Sequence, residues 1–172
     1  MGKYLAFKDF VETALINELS SLMAEGSNDT PTNNIKYRYH IFILIAVGIE
    51  TLGAALDKHS WHYEKAGSKK RFNKALSHYQ SLKKYTGGDL YRKLRCGMAH
   101  VYVPKYGLSI NMKSEGGVHN KINNQKLLLH IEDFFNDFIE ACHELVDNID
   151  GKKNTLPLSS KVYKDIFLEI PD

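Results

Sequence analysis

Ile41-Phe42-Ile43-Leu44-Ile45-Ala46-Val47-Gly48-Ile49 is the longest apolar run of the chain, and whether it is helix or strand decides the fold. Its β-branched residues would suit a buried strand. Length argues the other way: the helical spacing continues through Ile45, Ile49, Leu52 and Leu56, so the run is the middle of a helix from about Ile35 to Lys58. A helix that is apolar on every side must be central or lie in a subunit interface. The run is far shorter than the roughly 20 residues that span a bilayer. Glu50 closes it, so no membrane segment is expected.

Outward from that helix the pattern stays helical. Phe7, Phe10, Val11, Ala14, Leu15, Leu19 and Leu22 form one stripe between Tyr4 and Ala24, and Gly26 to Asn34 is a polar, turn-forming loop. After a connector from Trp61 to Ser68, a third helix carries Phe72, Ala75, Leu76, Tyr79 and Leu82 and ends at Gly87-Gly88. Asp89 is placed to cap a short fourth helix whose buried row is Leu90, Leu94 and Met98. Leu108 to Met112 and Val118 to Ile122, separated by Gly116-Gly117, predict a β-hairpin. The last long helix, from about Lys126 to Ile149, shows the clearest periodicity, with Ile131, Phe134, Phe138, Cys142 and Leu145 on one face and acids on the other. The expectation is an all-α bundle of about five helices with a small β-hairpin insertion before the last one. It spans residues 1–150, and 151–172 form a docking tail whose Val162, Ile166, Phe167 and Ile170 are too apolar to float free.

Charge is unevenly spread. Residues 68–105 hold ten Lys or Arg against one acid, Asp89, a local net of +9 that leaves −6 for the rest of a chain whose net is +3. A concentrated positive segment suits a phosphate-rich ligand, although solvated helix faces give the same pattern. Cys96 and Cys142 form no CxxC pair, which fits free thiols in a reducing cytoplasm. His59 and His62 stand three apart with no second pair, and no Walker loop, GxGxxG or GxSxG is present, so no metal and no cofactor is expected.

Inside the basic block lies Leu94-Arg95-Cys96-Gly97-Met98-Ala99-His100. Arginine is a permanent cation that forks onto phosphate, and histidine moves protons near neutrality, the two groups a metal-free ribonuclease needs. Residues five apart lie about 140° apart around an α-helix, so the two converge only if the helix frays or turns near His100, as Val101-Tyr102-Val103-Pro104 favours. With Gly88 to Leu94 before it, Val101 to Lys105 after it and a helical body around it, the segment resembles the HEPN family.

That resemblance implies a homodimeric, metal-independent RNA endonuclease of prokaryotic defence or toxin systems, with an antitoxin or other regulatory protein as a further partner. Arg95 and His100 would be catalytic and cleave by 2′-OH transesterification, the dimer supplying the second histidine. Glu50, costly if left unpaired at the foot of an apolar helix, would be the acid that orients Arg95. Lys69, Lys70, Arg71, Lys83, Lys84, Arg92, Tyr91 and Tyr102 would hold RNA, the tyrosines by stacking or by hydrogen bonds. The family usually has Asn, Asp or His after the arginine, where this chain has Cys96. The second reading is therefore an inactive module that binds RNA, a nucleotide or a protein, and the third is a purely structural dimer.

Overall fold

A computed structural model describes residues 3–27, 31–59, 67–98, 106–152, 157–158 and 166–170. After strand β1 (Lys3–Leu5), one helical rod contains α1 (Phe7–Phe10), a π-wound stretch (Val11–Glu18) and α2 (Leu19–Ser27). Its sequence explains the winding. Phe7, Val11, Leu15, Leu19 and Met23 recur every four residues, a repeat that advances about 40° per step around an α-helix. The wider i→i+5 winding of a π-helix drifts the other way, so mixing the two keeps the row on one side. Phe7, Val11 and Leu19 are buried, and Leu15 and Met23 pack against the same core.

Helix α3 (Pro31–Ala55) begins earlier than the polar loop suggested, with proline at its first position, where no intrahelical N–H is lost. It is the central helix, packed against α2, α4 (Ser68–His78), α5 (Ile131–Ile149) and the motif turn. Ile41, Phe42, Ile45, Ala46, Ile49 and Leu52 are buried, each large side chain worth about 1.5–3 kcal/mol of apolar burial. Arg38–Ala55 is long and apolar enough to cross a membrane on length and composition alone, and 56% of it is buried inside the protein. Gly53 lets α4 approach, since a Cβ there would lie 1.8 Å from the Arg71 carbonyl oxygen. The expected third helix breaks at Tyr79, where ψ turns to 128°, and continues as a 3-10 segment (Gln80–Tyr85).

The all-α expectation is wrong. Three strands, β2 (Leu108–Asn111), β3 (Lys121–Asn123) and β4 (Lys126–His130), form a mixed sheet in the order β2-β4-β3. β4 pairs parallel with β2, Leu108 opposite Leu127, and antiparallel with β3, Lys121 opposite Leu128. The hairpin therefore joins β3 to β4, and its two-residue turn is Asn124-Gln125, both at positive φ (46° and 63°), as a type I′ turn requires. Lys126–His130, expected as the first turn of the last helix, is the central strand. Leu127-Leu128-Leu129 has no polar alternation, and such a run reads equally as helix or as a strand flanked on both sides.

The tail also contributes a strand. β5 (Ile166–Ile170) pairs antiparallel with β1, Lys3 opposite Ile170, so the C-terminal segment closes onto the N-terminal one. Val162 and the connector residues 60–66 lie outside the described residues.

Candidate functional site

The motif arginine sits on a second π-wound turn (Tyr91–Cys96), preceded by Leu90 and continued by Gly97 and Met98 as ordinary helix. The same four-residue logic applies, because Leu90, Leu94 and Met98 are all buried. Asp89 stands at the start of the turn, but its carboxylate is no cap. Its backbone carbonyl accepts the N–H groups of Arg92 and Lys93, while its side chain pairs with Arg92 Nε at 2.9 Å. Asp89 itself is left-handed, with φ at 47°, the compact entry the preceding Gly87-Gly88 allows.

Arg95 and Glu50, 45 residues apart, meet. Arg95 Nε donates to Glu50 Oε2 at 3.0 Å, with the side chains 23% and 19% exposed. Because the contact uses only the Nε edge, the terminal guanidinium nitrogens have no bonded acceptor among the described residues. They keep the geometry for a bidentate phosphate contact. The π winding also brings Tyr91 and Cys96, five apart, into register, and burial followed by a hydrogen bond with Cys96 raises the Tyr91 hydroxyl above its ordinary value. Tyr91 is half-buried and meets the Phe72 ring edge-on at 5.6 Å. His100 and Tyr102 lie outside the described residues.

The remaining basic residues divide into two groups. Lys69 and Lys70 are exposed at the start of α4, and Lys83 is exposed with its amine on Gln80 Oε1 at 2.9 Å. Arg71 points inward. It is 8% exposed, and its Nε binds Asp57 Oδ2 at 3.1 Å. Burial works against the Asp57 charge, but the His59 ring and backbone N–H and the Arg71 guanidinium together hold its carboxyl well below the usual carboxylate range. Lys84 reaches the Asp137 carboxylate at 2.8 Å. A groove beside the motif turn is lined by Gly87, Gly88, Asp89, Arg92, Lys93 and Gly107, so backbone, two cations and the carboxylate paired with Arg92 share one surface.

A second cluster lies between β4 and the start of α5, built on residues whose spacing predicts a hairpin and a helix surface. His119, His130 and Asp133 place one possible ligand atom each within 4.8 Å of one another. Tyr85 Oη lies 2.6 Å from His119 Nε2 and donates its own proton to Asp137. Burial lowers the His119 pKa, so its ring is neutral near pH 7. The local signal in the sequence is His130-x2-Asp133, a histidine and a carboxylate one helical turn apart. Arg38 fastens the neighbouring loop to α3 through two bonds of 2.9 Å to Glu115.

No family model, no curated protein and no solved structure matches this chain.

Proposed function

We propose that the chain is a HEPN-like endoribonuclease that cleaves RNA at an Arg95/His100 site with no metal in the bond-breaking step. One observation carries the reading: Glu50 holds Arg95 by its Nε edge, and among the described residues both terminal nitrogens are left for a phosphate. Arg71 also meets its carboxylate through Nε, but that pair is shut away at 9% and 10% exposed, whereas Arg95 and Glu50 stay partly open at 23% and 19%. The ribose 2′-oxygen attacks phosphorus, the bond to the 5′-oxygen breaks, and the products are a 2′,3′-cyclic phosphate and a 5′-hydroxyl. Arg95 offsets charge on the phosphorane, His100 takes the 2′-OH proton, and the partner subunit's His100 protonates the leaving oxygen. Arg92, Lys93, Lys69 and Lys70 supply the cations along which RNA would lie.

The test is cleavage of single-stranded RNA in EDTA. Wild type should leave a 2′,3′-cyclic phosphate and spare DNA, and His100→Ala and Arg95→Ala should each be slower by about 100-fold or more. No cleavage across varied RNAs, or a His100→Ala variant as fast as wild type, overturns the reading. Salt-sensitive RNA binding without cleavage would instead favour the binding-only module, with Cys96 in place of the usual polar residue as its mark.

A further inference from the structure

We propose that His119, His130 and Asp133 form a binding site for one divalent transition-metal ion of the zinc class. His130 is 5% exposed, and its Nε2 lies 3.1 Å from the Gly116 carbonyl oxygen, which can only accept, so Nε2 carries the proton. Nδ1 of the same ring faces another acceptor, Asp133 Oδ2, at 3.5 Å. A buried lone pair pointed at a carboxylate is repulsive, and a second proton or a metal ion is needed between them.

His119 offers a second nitrogen to the ion. Its Nδ1 accepts the His130 backbone N–H at 2.9 Å, so that nitrogen also holds a lone pair. Its Nε2 proton goes to Tyr85 Oη, whose own proton goes to Asp137. Both rings thus donate from Nε2 to a fixed acceptor, a backbone carbonyl in one case and a Tyr–Asp relay in the other. That is the outer hydrogen bonding that orients metal-ligating imidazoles. Asp133 is oriented in the same way, because Lys113 Nζ binds its other oxygen at 2.6 Å and leaves Oδ2 to ligate. The 3.5 Å between Nδ1 and Oδ2 is near the ~3.4 Å edge of a tetrahedron whose bonds are ~2.0–2.1 Å.

Binding displaces one hydrogen bond, from the His130 N–H to His119. Two imidazoles and one carboxylate, with no thiolate, suit zinc, cobalt or nickel better than calcium or magnesium, and three protein ligands leave a fourth position for water. The carboxylate side is the open one, since Asp133 is 28% exposed and the histidines 13% and 6%. The ion would clip residues 113–120 and the end of β4 to the first turn of α5, and it takes no part in the proposed RNA chemistry.

The full chain, stripped with EDTA and dialysed, is titrated with Co2+ and then Zn2+. The expected result is one ion per chain, with the strong visible absorption of four-coordinate Co2+ and its loss when Zn2+ replaces it. Asp133→Asn and His130→Gln should each weaken Zn2+ by more than about 100-fold, and Tyr85→Phe, which acts through His119, by about 10–100-fold. His143→Ala, an exposed histidine on the same helix outside the site, should bind like wild type. Wild type that takes up no ion at micromolar concentration overturns the proposal, and so does affinity that survives Asp133→Asn and His130→Gln. RNA cleavage is not the readout, so this result and that of the ribonuclease test are separate.

Discussion

Arg38, Arg71 and Arg95 each meet a carboxylate, and burial together with the atoms used separates their roles. Arg38 gives both terminal nitrogens to Glu115, Arg71 gives Nε to Asp57 in a buried setting, and Arg95 gives only Nε to Glu50 at a partly open one. Asp57 is the anchor among them, because it also accepts from the His59 ring at 2.7 Å and from the His59 backbone N–H at 3.1 Å. Removing its charge beside a buried guanidinium should cost about 3 kcal/mol, so Asp57→Asn should unfold at lower urea than wild type near pH 7. The folded-state pKa of Asp57 is depressed, so its contribution is fully present above the unfolded value of 3.8 and is lost as pH falls below it. The gap between wild type and Asp57→Asn should therefore narrow steadily as pH drops from about 5 to about 2. A gap that stays constant would show that the stabilisation does not come from ionised Asp57.

At the scale of elements, two features do most to place the motif. The first is the π winding, which turns a four-residue apolar repeat into a single buried row and so fixes which way Arg95 projects. The second is the close crossing of α3 and α4 at Gly53. Alanine is normally the better helix residue by about 1 kcal/mol. At Gly53 the sign should reverse, because the new methyl meets the Arg71 main chain, which no rotamer can move. Gly53→Ala should cost about 3 kcal/mol or more in urea denaturation, while Gly87→Ala, with nothing within 4 Å of the new methyl, should change little. A neutral Gly53→Ala would mean that α3 and α4 do not cross this closely.

For the whole molecule, the question is what covers the outer face of α3. Leu44 and Val47 are each 44% exposed, and Val47 is one helical step from Glu50. A second copy seated there would bury them and bring two Arg95 turns toward one another, which the proposed chemistry requires. Light scattering at micromolar concentration should give a dimer for wild type and a monomer for Leu44→Glu with Val47→Glu, and the double variant should lose RNA cleavage. A wild-type monomer would remove the second histidine from the mechanism.

The sequence by itself determined which residues are inside. The rows Ile41, Ile45, Ile49 and Leu52, then Leu90, Leu94 and Met98, then Phe134, Phe138, Cys142 and Leu145 are buried as their spacing requires, because periodicity is a local property. It also singled out Glu50 as a carboxylate needing a partner and Arg95 as a motif cation. Only the tertiary structure decided that they meet, that Lys126–His130 is a central strand, and that His119 arrives beside His130 and Asp133. Each of those depends on pairing between distant segments. A triple-leucine run has no period to separate helix from strand, and a strand's register is set by the neighbours it finds. Likewise a helix that is apolar all round carries no mark of which side stays uncovered, so the exposure of Leu44 and Val47 was settled by where α2, α4 and α5 pack.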